Sequence, residues 1–196
     1  MNKKKYETPE EYEKDLYETL RKLLNEDRTA ENILTLKKIM HGVNTHITYL
    51  IGEKFLESLS DKPIKEFQYK EMCSNGFDIE LEIDGKPIIA EIKGNLPLNI
   101  ESYGAQQRDG IIKDIGYLTN GKLKSKNHKP GKPIKNVYRF LILLENNRNA
   151  IQHLINNLCK KGTYNHNFFK IEDSSPINRS LANYKQDVIN VIFIEL

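Results

Sequence analysis

The stretch from Gly76 to Asn95, GFDIELEIDGKPIIAEIKGN, constrains the fold of this chain more than any other. Two runs rich in Ile, Leu and Phe flank Asp84-Gly85, a dipeptide that favours the primed two-residue turn matching strand twist. The stretch therefore predicts a β-hairpin. With Asp84 and Gly85 as the loop, Ile83 faces Lys86, and counting outward pair by pair sets Asp78 opposite Glu91. Side chains alternate along a strand, so one face carries Phe77, Ile79, Leu81, Ile83, Ile88, Ala90 and Ile92 and packs into a core. The other carries Asp78, Glu80, Glu82, Ile89, Glu91 and Lys93.

Two carboxylates at cross-strand distance repel and destabilise the pairing. A divalent cation between them removes the conflict. A hard ion such as magnesium takes a few carboxylate oxygens plus water and leaves room for substrate phosphate. Lys93 shares a face with Glu91 and lies two residues away, so its ammonium reaches the same point. A metal held by two carboxylates beside a lysine can activate water and stabilise charge on a phosphate in flight. The bland alternative is a solvated hairpin face on which Glu91 and Lys93 pair with neighbours.

Asp78 followed by Glu91-Ile92-Lys93 on an adjacent antiparallel strand resembles the signature of the PD-(D/E)XK nuclease superfamily, the restriction-endonuclease-like fold. The proline that often precedes the first acid is Phe77 here. The resemblance covers residues 44–144 and implies an α/β core of helix, three antiparallel strands, helix and strand. Extra N-terminal helices (1–43) and a C-terminal α/β extension (145–196) would complete a single domain. It implies that Asp78 and Glu91 hold Mg2+, with Mn2+ able to substitute, while Lys93 positions or deprotonates water and offsets charge. It also implies an accessory acid on the helix before the hairpin. Glu53, in the pair Gly52-Glu53, fits as a metal ligand, direct or through water, and Glu57 stands one turn on. Members often carry an active-site glutamine on the helix after the lysine strand, a feature that Gln106 and Gln107 resemble, with Gln107 the better placed.

Along the chain, Thr8-Pro9-Glu10-Glu11 starts a helix with Thr8 as cap, followed by Tyr12, Leu16, Leu20 and Leu23 at helical spacing. A second helix runs from about Thr29, with Ile33, Leu36, Ile39 and Met40 on one side. Another spans Asn44 to Leu59 on Ile47, Leu50, Ile51, Phe55 and Leu59; the nearby His41 and His46 read as surface or core residues rather than ligands. Phe67 to Met72 reads as the strand before the hairpin, joined to it by Ser74-Asn75-Gly76. After Lys93 comes a loop, then a helix from Gly104 ended by Asn120-Gly121, with Ile111, Ile112, Ile115 and Leu118 as its buried stripe. Gln107 near its N-terminus sits where backbone N–H groups favour phosphate, and Arg108, Asp109 and Lys113 are candidate backbone contacts.

The segment GKLKSKNHKPGKPIKN, Gly121 to Asn136, carries Lys122, Lys124, Lys126, Lys129, Lys132 and Lys135 and no acid. As a mobile loop it would neutralise phosphates and make binding salt-dependent; a solvated lysine loop is the plainer alternative. Val137 to Leu144 is a near-continuous apolar run, as a strand buried on both faces requires. Asn149 to Lys160 reads as a helix, Phe168 to Ile171 as a short strand, Ser174-Ser175-Pro176 as the opening of a loop, and Val188 to Leu196 as another buried strand.

Composition adds bounds. With 196 residues one domain is expected, and a net charge of +3 is too small to name a partner. Cys73 and Cys159 lack metal-binding spacing and read as reduced thiols of a cytoplasmic protein. The basic start MNKKK has no apolar segment behind it, so no signal peptide is expected, and no run is long enough to span a membrane.

The resemblance implies a Mg-dependent endonuclease hydrolysing double-stranded DNA, most like a small type II site-specific restriction endonuclease. Homodimerisation would let two sites cut both strands, and a cognate DNA methyltransferase would act separately. A structure-specific repair or junction nuclease, and a non-catalytic nucleic-acid binder on the same fold, are the alternatives. The intact set of Asp78, Glu91 and Lys93 weighs against the binder, which need not keep repelling carboxylates.

Overall fold

The computed structural model describes residues 8–24, 30–59, 76–125, 127–130, 134–172 and 181–196. Asp84 and Gly85 both take positive φ, 50° and 72°, as a primed turn demands, and join β1 (Ile79–Ile83) to β2 (Lys86–Lys93). The antiparallel register runs from Ile83 opposite Lys86 to Ile79 opposite Ala90, as the turn arithmetic requires. The ladder stops one pair short of Asp78 and Glu91. There the Asp78 carboxylate takes over, accepting the Ile92 backbone N–H at 2.8 Å.

Three further strands pair in parallel. β3 (Tyr138–Leu144) lies beside β2, β5 (Ile189–Ile194) beside β3, and β4 (Phe169–Ile171) beside β5, giving the order β1-β2-β3-β5-β4. The apolar runs of β3 and β5 are buried on both faces, which is why these two strands carry almost no alternation. The C-terminal strand expected as part of an extension therefore sits inside the sheet. The class is α/β with a mixed sheet.

Helices cover both faces. α1 (Pro9–Leu24) begins with the Thr8 hydroxyl accepting the Glu11 N–H at 3.3 Å, as the capping pattern predicts. α2 (Ala30–Leu59) is one continuous helix where the sequence pattern suggests two. The polar segment around Gly42 breaks the apolar stripe but not the backbone, because a single interior Gly costs only about 1 kcal/mol. The second half of α2 packs Ile51 and Phe55 against Ile88, Ala90, Ile92, Phe140 and Ile142. α3 (Ala105–Asn120) and α4 (Arg148–Lys160) cover the opposite face with Ile89, Leu141, Leu143, Val191 and Phe193. Phe77, expected on the Ile79 face, joins this second layer instead, since the chain bends at Asp78 and the alternation starts only at Ile79.

The expected strand Phe67–Met72, the turn at Ser74-Asn75 and the loop at Ser174-Ser175-Pro176 lie outside the described residues. So do the side chains of Tyr12, Leu23, Ile33, Leu36, Ile39, Met40 and His41. No helix among the described residues is long and apolar enough to cross a membrane.

Candidate active site

The C-terminal end of β2 is where α2, α3 and the segment after α3 come together. Gly94 makes the crossing possible: a Cβ there would stand 2.7 Å from Ile47 Cγ2, so the helix approaches the strand end only over a glycine. A cleft of about 320 Å³ opens at this point. Its walls are Asn44, Thr45 and Thr48 of α2, Asp78, the run Glu91 to Asn95, Asp114 of α3, and Lys122.

The charged groups form two tight pairs. Lys93 Nζ lies 2.5 Å from Asp114 Oδ2, and Lys122 Nζ donates to Glu91 Oε1 at 2.7 Å. Lys122 also lies 5.7 Å from the Phe77 ring and 5.2 Å from the Tyr117 ring, where cation–π attraction holds it. With every group ionised, three carboxylates would stand against two ammonium groups in the cleft.

Burial dominates the protonation of the acids. It pushes the Glu91 carboxyl up to about 8; the charges of Asp78 and Asp114 add to the rise and Lys122 opposes it. Burial pushes Asp78 upward too, against the Ile92 hydrogen bond and the charges of Lys122 and Lys93. For Lys93, burial alone would favour the neutral amine. The charge and hydrogen bond of Asp114, with Asp78 and Glu91 behind it, outweigh that and move Lys93 upward, so it stays an ammonium at neutral pH.

The expected trio Asp78, Glu91 and Lys93 is thus gathered in one cleft. Glu53 is not: it faces Tyr49, whose hydroxyl donates to Glu53 Oε1 at 2.9 Å, and it lines no part of the cleft. The α2 positions that do reach it, Asn44, Thr45 and Thr48, lie one to three turns earlier. Glu57 is exposed. Gln107 is spent on local structure, accepting the Gly104 N–H at 3.4 Å and donating to the Leu96 carbonyl at 3.0 Å, and Gln106 is exposed. Arg108 pairs with its neighbour Asp109 at 3.1 Å, and Lys113 reaches over the Tyr117 ring at 5.6 Å.

The lysine segment, expected as a mobile loop, is hydrogen-bonded where it begins. The Lys122 N–H donates to the His128 carbonyl, the Ser125 N–H to the Lys122 carbonyl, and both Ser125 Oγ and the Asn127 N–H to Glu80. Lys122 belongs to the cleft rather than to a surface strip, whereas Lys124, Lys129 and Lys135 are exposed and Lys126 and Lys132 lie outside the described residues.

Asp114 is the residue that sequence reasoning missed. Its signal was available: Ile111, Asp114, Ile115 and Leu118 form one helical stripe, and an acid inside a buried stripe needs a partner. His46, read as no ligand, lies 3.0 Å from Glu13 of α1.

Asp78 and Glu91 suit a hard divalent ion. They are two oxygen-bearing groups whose anionic forms are disfavoured by burial until a cation joins them, and an ion that keeps several waters needs no more. Among the described residues no group of three or more His, Cys, Asp or Glu side chains converges as a metal cage. Comparison with family models, curated proteins and solved structures finds no match for this chain, so the site is interpreted from its own geometry and chemistry.

Proposed function

We propose that the chain is a magnesium-dependent endonuclease that hydrolyses DNA phosphodiester bonds. One observation carries this: Asp78, just before β1, and Glu91 and Lys93 at the end of β2 meet in an open cleft instead of dispersing over a solvated face. The order α2, β1, β2, α3, β3 supplies a helix, two antiparallel strands, a helix and a strand, a part of the PD-(D/E)XK core that the sequence resembles; the third antiparallel strand of that core was expected at Phe67–Met72, outside the described residues. Asp78 and Glu91 would hold the magnesium ion, which when bound supplies a Lewis acid and a more acidic water.

The protein's own groups do the rest. Lys93, kept cationic by Asp114, serves as a hydrogen-bond donor to water or phosphate and a positive charge beside the reacting centre, not as a base. Asn44, Thr45 and Thr48 form a neutral polar wall able to orient the nucleic-acid backbone. In the reaction a water oxygen bonds to phosphorus as the bond to the leaving sugar oxygen breaks. The water loses a proton and the leaving oxygen gains one.

Within this class, a type II restriction endonuclease acting as a homodimer is preferred, two such clefts being what cleavage of both strands would require. The test is incubation of the purified protein with mixed plasmid and phage DNA, in magnesium or EDTA, beside Lys93→Ala. Discrete magnesium-dependent fragments absent from the variant are the expected result. A smear would move the reading to a structure-specific or nonspecific nuclease, examined next on branched substrates. Intact DNA throughout would hand the lead to a non-catalytic binder.

A further inference from the structure

The charge count in the cleft leaves one group unexplained by the trio. With Asp78 and Glu91 committed to a divalent ion and Asp114 to Lys93, every acid in the cleft has a partner. Lys122 then has none left. Its ammonium has three donors, and the one given to Glu91 holds it at the cleft rather than in solvent. Its side chain is only 18 % exposed, clasped between the Phe77 and Tyr117 rings.

The surrounding backbone is built to aim it. Gly121, at φ 89° and ψ 165°, occupies a region almost closed to other residues, and a Cβ there would lie 2.5 Å from the His128 carbonyl oxygen. The loop beyond is pinned by Glu80 of β1, which accepts from Ser125 and Asn127 at 2.8 Å each. A surface lysine needs no such bracing.

We propose that Lys122 is a second catalytic cation of this centre, resting on Glu91 in the free protein and donating to a non-bridging oxygen of the scissile phosphate in the working complex. No bond to Lys122 forms or breaks. It offsets charge that builds on the phosphate, a role distinct from the exposed lysines that follow it. The inference rests on the nuclease reading above and deepens it.

The test uses the full chain with DNA cut by the wild type. DNA affinity is measured in calcium, and the single-turnover cleavage rate in magnesium at saturating DNA, for wild type, Lys122→Met, Lys122→Arg and, as a control at an exposed lysine beyond α4, Lys161→Met. Lys122→Met is expected to lower the saturated rate about 100-fold or more while affinity changes less than about threefold; Lys122→Arg recovers part of the rate, and Lys161→Met keeps it. An unchanged saturated rate with weakened affinity would overturn the proposal and make Lys122 a backbone contact. Thermal melting checks the fold. If Lys122→Met fails to fold, Lys122→Gln, which keeps a hydrogen-bond donor without the charge, replaces it, and full activity in that variant would also overturn the proposal. A wild type that cuts no DNA sinks the nuclease reading itself, and this inference with it; a wild type that cuts beside an equally fast Lys122 variant sinks this inference alone.

Discussion

Glu91 keeps 2 % of its surface exposed, and burial holds its carboxyl near 8 against an ordinary 4.5. Between those values the folded protein binds more protons than the unfolded chain, so its stability falls as pH rises. The contribution is complete below the unfolded value and lost as pH climbs through 8; Asp78 acts in the same direction. In EDTA, stability should drop by about 2 kcal/mol between about pH 6 and 8, from a slope near 1.4 kcal/mol per pH unit. Magnesium should restore it, and Glu91→Gln should flatten the curve. Denaturant titrations across pH check this, and a stability that rises with pH would contradict the buried-acid picture. The trio was legible because the Asp84-Gly85 turn fixes register to the residue. The Lys122–Glu91 and Lys93–Asp114 pairs were not, since each joins a strand to a partner whose approach is decided by packing of α3.

Among the elements, the loop from Gly121 to His128 shows how local chemistry can turn a lysine-rich segment into structure. Among its described residues four N–H groups and one hydroxyl donate within it or to Glu80: the Lys122 N–H to His128, the Ser125 N–H to Lys122, the His128 N–H to the Ser125 hydroxyl oxygen, and the Asn127 N–H and Ser125 hydroxyl to Glu80. Sequence composition reports charge and turn residues here, but not the glutamate on β1 that anchors them. Gly121→Ala forces a side chain into a glycine-only backbone region and against two carbonyl oxygens, 2.5 Å and 2.7 Å away. It should cost about 2–4 kcal/mol in urea denaturation and slow DNA cleavage by displacing Lys122. A change within about 0.5 kcal/mol would show that the loop has no need of this backbone geometry. α2 makes the complementary point. Its apolar pattern fades around Gly42, so it reads as two helices, yet nothing there breaks the backbone hydrogen bonds.

For the whole molecule, the decisive feature is where β5 sits. The run from Val188 to Leu196 announces a buried strand, but parallel pairing is non-local, and no sequence pattern says which strands flank it. In the fold it lies between β3 and β4, with Ile189, Val191 and Phe193 in the α3–α4 layer and Ile192 and Ile194 in the α2 layer. Asn190 fixes it further, its amide donating to the Arg139 carbonyl at 3.1 Å and the Lys185 carbonyl at 2.9 Å. Five buried apolar side chains at roughly 2 kcal/mol each are worth about 10 kcal/mol, comparable with the whole stability of a domain this size. Deleting residues 188–196 should therefore abolish cooperative unfolding, seen by circular dichroism and amide dispersion, and with it any DNA binding. Were residues 44–144 a self-sufficient core carrying an appended extension, the shortened chain would keep its fold and its cleft. The position of β5 between β3 and β4 argues that it cannot: removing it opens two strand edges and both hydrophobic layers at once.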